Sequence, residues 1–93
     1  MATITRLLLD VLKPHQPNSL TFAGTVADSC GECKVTITVV ERDEKTETTL
    51  LGIEGKALDF DVIASTIEQL GGSVHSVDEV EVIAEGHTET PAA

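Results

Sequence analysis

The chain has no tryptophan and no tyrosine, and Phe22 and Phe60 are its only aromatic residues. A core without large rings must be built from Leu, Ile, Val and Ala, so total burial is modest and association with further subunits would add usefully to stability. The same scarcity argues against binding single-stranded nucleic acid by base stacking. Cations are scarce as well, with six Lys and Arg against sixteen Asp and Glu. Arg6, Lys13, Lys34, Arg42, Lys45 and Lys56 are scattered, which leaves no basic cluster for phosphates or for an anionic membrane surface. No nucleic-acid or membrane partner is therefore expected. Two cysteines do not make a disulfide framework, and in a reducing compartment they are expected as thiols. The longest apolar run falls short of a bilayer span and no charged-then-apolar leader opens the chain, so a cytoplasmic location is expected.

Ninety-three residues, 41% of them apolar, suffice for one domain without a metal or disulfide staple. The net charge of −10 is spread through every segment rather than gathered in a tail. Such a surface keeps a protein soluble in concentrated salt, where screening removes the self-repulsion. A salt-loving source is the preferred explanation, and an ordinary acidic cytosolic protein is the plain alternative.

Residues 4–13 read as a strand with Leu7, Leu9 and Val11 on one side and Arg6, Leu8, Asp10 and Leu12 on the other. Pro14 and Pro17 stop it, and Pro17 is placed to start a helix over residues 17–29 that buries Leu20, Ala23, Val26 and Ala27. Residues 34–42 alternate Val35, Ile37 and Val39 with Thr36, Thr38 and Val40, as a half-buried strand does. A polar turn at residues 43–45 leads to a hairpin partner over residues 46–54, with Thr49, Leu51 and Ile53 on one face. Asp59 is the N-cap of a second helix, residues 60–70, and Gly71 and Gly72 are its left-handed C-cap. The last strand, residues 73–83, needs a bulge near residues 76–78 because Val77 breaks the parity of Val74, Val80 and Val82. The acidic run Asp78, Glu79 and Glu81 suits a charged edge strand better than a calcium loop. The resulting βαββαβ order predicts an α+β, ferredoxin-like sandwich: one four-stranded antiparallel sheet with two helices on one face. The domain spans residues 1–83. Residues 84–93, including His87, read as a disordered acidic tail.

The run LLLDVLKPH with Pro17, the strand KVTITVVE, the Asp59-Phe60-Asp61 helix start and the segment GGSVHSVDEV together resemble the archaeal "domain of unknown function 211" family over nearly the whole chain. The resemblance implies a ferredoxin-like fold, an archaeal cytoplasmic source and assembly into a multi-subunit ring or comparable oligomer. It implies no enzyme activity. Cys30-Gly31-Glu32-Cys33 departs from the family pattern.

The predicted topology places His15 and the entry to the last strand at one end of the sheet. His15 and His75 are thus expected as neighbours, with Asp10 and Asp78 further down. Histidine is the commonest ligand of zinc-like metals, so His15 and His75 are candidates for a divalent-cation or anion site completed by a neighbouring subunit; the plainer reading is that both end strands and bond backbone or a subunit contact. Cys30 and Cys33 belong to the opposite end, roughly 25–30 Å away. They follow a helix C-terminus, where the dipole with Asp28 and Glu32 raises a thiol pKa, unlike the thiols of a redox motif. As two soft donors they are candidates for Zn²⁺ or Cu(I), shared across a subunit contact in the case of zinc; a labile disulfide and a plain tight turn at Gly31 stay open. No phosphate loop, Ser/His/Asp arrangement or paired-carboxylate motif is present, so no enzyme is expected. Three functions remain: a homo-oligomeric binding or assembly protein, a metal-binding or metal-delivery protein using Cys30 and Cys33, and a sensor holding a small molecule between subunits.

Overall fold

A computed structural model describes residues 2–85 as six elements: β1 (Thr3–Pro14), α1 (Ser19–Cys30), β2 (Cys33–Arg42), β3 (Thr46–Leu58), α2 (Phe60–Gln69) and β4 (Ser73–Ile83). The strands form one sheet in the order β2-β3-β1-β4, every pair antiparallel. This is the expected ferredoxin-like βαββαβ arrangement, with β1 and β3 central and β2 and β4 at the edges. Of the expected tail at residues 84–93, everything from residue 86 on, His87 included, lies outside the described residues.

The alternation in β1 works as expected. Leu7, Leu9 and Val11 are buried and stand opposite Ile53, Leu51 and Thr49 of β3. Buried Phe22 and Val26 of α1 and Ile63 and Ile67 of α2 complete the core from the helical side.

The first helix differs from its expected form in start and in face. It begins at Ser19, and Asn18 rather than Pro17 sets its start, accepting a hydrogen bond from the Thr21 amide at 2.9 Å. Its core face is Phe22 and Val26, while Leu20 is 84% exposed. Leu20 and Phe22 are about 200° apart around a helix, so they cannot share a face, and the larger ring takes the core.

The second helix follows expectation at both ends. The Asp59 carboxylate accepts from the Val62 amide at 3.3 Å. At the other end the Gly71 amide bonds Glu68 O and the Gly72 amide bonds Ile67 O, both at 2.9 Å, with Gly71 at φ +87°.

Strand β4 resolves its parity conflict with two extra residues. Its pairing with β1 shifts register three times: between Ile4 and Arg6, where Thr5 of β1 is the extra residue, and between Leu8 and Leu9 and between Asp10 and Val11, where Asp78 and His75 of β4 are the inserted positions. Val74, Val77 and Val80 consequently all pair with core-facing residues of β1, namely Val11, Leu9 and Leu7.

Candidate functional site

The alternation that buries Leu7, Leu9 and Val11 runs one step further, to Lys13, and that of Ile53, Leu51 and Thr49 runs on to Glu47. The register pairs Lys13 with Glu47 directly, and both are buried. Lys13 Nζ donates to Glu47 Oε1 at 2.8 Å and to the Pro14 carbonyl at 2.8 Å, and it lies 5.7 Å from the centroid of the Phe22 ring. Two strong acceptors and one aromatic face thus meet the three N–H bonds of the ammonium. Next to this pair the Thr49 hydroxyl donates to the Val11 carbonyl at 2.8 Å. Among the described residues no buried side-chain nitrogen or oxygen lacks a partner.

His15 and Arg42 close the cluster from the solvent side. Arg42 Nε donates to Glu47 Oε2 at 2.8 Å, and His15 Nδ1 lies 3.2 Å from the same oxygen. His15 Nε2 lies 3.0 Å from the Glu44 carbonyl. A neutral imidazole carries only one N–H, so both contacts become hydrogen bonds only in the imidazolium. The bond to Glu47, followed by that to Glu44, accordingly raises the His15 pKa above its ordinary 6.5. The hydrogen bonds from Lys13, His15 and Arg42 pull Glu47 down to about 2 against its own burial. Both carboxylate oxygens are engaged by protein donors. The cluster therefore acts as an electrostatic clasp that ties the exit of β1 to the β2–β3 hairpin.

His15 and His75 fall at the same end of the sheet but are engaged differently. All hydrogen bonds of His15 run toward the β2–β3 hairpin, whereas His75 is an exposed inserted residue on β4, on the other side of β1. Asp10 pairs with Ser76, and the Asp78 carboxylate accepts from the Ser76 hydroxyl at 2.6 Å. Among the described residues no group of three or more His, Cys, Asp and Glu is placed to hold a metal ion.

Cys30 and Cys33 lie at the far end. Along β3, Thr46 pairs with Pro14 and Gly55 with Cys33, a separation of about 30 Å at the rise of a strand. Both thiols are free and half-buried. Burial first, then the hydrogen bond and charge interaction with Cys30, push the Cys33 thiol up to about 12. The direction is the one expected from the sequence. The cause is desolvation and the partner thiol rather than Asp28 and Glu32.

The DUF211 family, described as uncharacterized ArCR, matches residues 5–90. The chain belongs to the DUF211 family. An uncharacterized protein of the archaeon Methanocaldococcus jannaschii is 46% identical over 80 residues, covering 86% of this chain and 82% of the relative. Among the described residues of this DUF211 chain no helix is long and apolar enough to cross a membrane.

Sequence reasoning singled out His15 in this DUF211 chain but neither Lys13, Glu47 nor Arg42. The parity of Lys13 with Leu7, Leu9 and Val11, and of Glu47 with Thr49, Leu51 and Ile53, was the available signal. Ionic side chains ordinarily mark the exposed end of a strand, and only the register shows that these two neutralise each other.

Proposed function

We propose that this protein is a non-enzymatic, homo-oligomeric binding or assembly protein of a halophilic archaeal cytoplasm. The observation that carries the reading is the apolar surface left on both edge strands. On β4, Val77, Val80 and Val82 pair with Leu9, Leu7 and Ile4, yet Val80 is 52% exposed and the other two nearly as much, although α2 touches the same strand. On β2, Val40 is 59% exposed. Apolar side chains along two unpaired strand edges favour association of copies, and head-to-tail contact between unlike edges closes a ring when the rotation permits. The acidic composition supports solubility in concentrated salt, where electrostatic self-repulsion between copies is screened.

Light scattering in multimolar KCl tests the proposal. A defined oligomer is expected, and Val80→Glu or Val40→Glu should shift it toward monomer by burying a charge at the contact. A stable monomer at every concentration and salt level would overturn it.

A further inference from the structure

We infer that Cys30 and Cys33 form a two-coordinate site for one soft monovalent cation, Cu(I), held as a bis-thiolate within a single chain. The inference goes beyond the assembly reading and does not rest on it.

The local backbone brings the two sulfurs together. Helix α1 ends at Cys30, Gly31 turns the chain at φ +80°, the Glu32 amide bonds back to the Cys30 carbonyl at 3.1 Å, and Cys33 opens β2. Both thiols fold toward the last turn of α1, Cys30 Sγ donating to Val26 O at 3.4 Å and Cys33 Sγ to Ala27 O at 3.6 Å. The two sulfurs thus sit on the same last turn of α1, over the carbonyls of consecutive residues. Opposite Cys33 stands Gly55, where a Cβ would come within 3.2 Å of the Cys33 Cβ. Cys33 also lines an open cavity of about 670 Å³ with Gly31, Lys34 and Lys56, which gives a metal carried by a small chelator a way in.

The donor set selects the ion. Thiolates favour Cu(I), Zn²⁺ and iron–sulfur clusters. Structural zinc demands four protein ligands and the clusters are held by four, whereas among the described residues no third His, Cys, Asp or Glu joins these two. Cu(I), softer than Zn²⁺ and of lower charge, is satisfied by two thiolate sulfurs alone. The carbonyls of Val26 and Ala27 hold both thiols against the last turn of α1 and disfavour a free thiolate there. Binding is a plain exchange: two S–H bonds break, two S–Cu bonds form, and two protons leave to solvent. No electron is transferred, and the charge at the site passes from +1 on the free ion to −1 on the complex.

The experiment is an anaerobic titration of the full chain with Cu(I) against a coloured Cu(I) chelator, with Zn²⁺ titrated in parallel and sulfur coordination read by X-ray absorption. One Cu(I) per chain with two sulfur neighbours is expected, with the affinity reduced at least about 100-fold in Cys30→Ser and in Cys33→Ser and unchanged in Glu32→Gln. Protection of the wild-type thiols from iodoacetamide by Cu(I) reads the same site should the serine variants misfold. Failure to compete with the chelator, binding that survives both serine substitutions, one copper per two chains, or stoichiometric zinc of equal tightness would each overturn the inference. Chain association measured on the same samples is a separate readout and bears only on the assembly reading.

Discussion

Lys13 and Glu47 face each other across the central strand pair, Nζ 2.8 Å from Oε1, one step along the inward face from the buried pair Val11 and Thr49. The pair continues the hydrophobic stripe in ionic form, and its two members depend on each other unequally. Glu47 keeps Arg42 and His15 if the lysine is lost, whereas among the described residues Glu47 is the one anion paired with Lys13.

The expected consequence is an ordered series of melting temperatures. Glu47→Leu, which strands a buried ammonium, should lower Tm more than Lys13→Met, and the double variant should be more stable than Glu47→Leu alone, since removing both charges abolishes the desolvation problem. Thermal denaturation of the three variants checks the order, and a double variant worse than either single one would contradict it.

Stability should respond to pH through both titrating members of the clasp. The Glu47 pKa is depressed, so its contribution is present above 4.5 and is lost as pH falls from 4.5 toward about 2. The His15 pKa is raised, so its contribution is fully present below 6.5 and is lost as pH rises through the elevated value. Urea denaturation of wild type and His15→Gln should show a gap at pH 5.5 that narrows by pH 9. A gap independent of pH would show that His15 contributes only packing.

The rotation of α1 makes a prediction at two neighbouring residues. Phe22→Ala removes a ring from the core and from the face of Lys13, and should cost about 3–5 kcal/mol. Leu20→Ala, on the exposed face, should change stability by no more than about 0.5 kcal/mol. Chemical denaturation of both variants distinguishes this face from the alternative that would bury Leu20.

Gly55 should be intolerant of a side chain. An added Cβ would lie 2.8 Å from Leu58 Cδ2 and 3.2 Å from the Glu32 carbonyl as well as crowding Cys33. Gly55→Ala is expected to destabilise by about 1–3 kcal/mol through overpacking and to increase the exposure of Cys33. The rate of Cys33 alkylation under native conditions measures the second effect, and an unchanged rate would refute it.

The architecture was legible because β-branched runs at period two, an Asp N-cap and a Gly-Gly stop are local signals that agree with one another. The faces of β1 and β3, the caps of α2 and the edge position of β4 follow from them directly. Local signals failed where two readings were nearly degenerate. In α1, Leu20, Ala23, Val26 and Ala27 form one acceptable stripe and Phe22 with Val26 another, and only packing against the sheet chooses between them. In β4, parity required an irregularity but did not say that two residues, His75 and Asp78, are inserted.

The sequence by itself determined that this is a small acidic α+β domain of the DUF211 family, with His15 and His75 at one end of a sheet and the cysteines at the other. Those properties depend on composition, periodicity and chain order, which any reading of neighbours along the chain can recover. Tertiary structure alone decided that Lys13 and Glu47 belong to the core and that His15 serves the hairpin. It also decided that both thiols of the CxxC turn fold onto the last turn of α1. Each depends on strand register or helix rotation, set by contacts between residues far apart in sequence, where a shift of one position would have sent the same side chains into solvent.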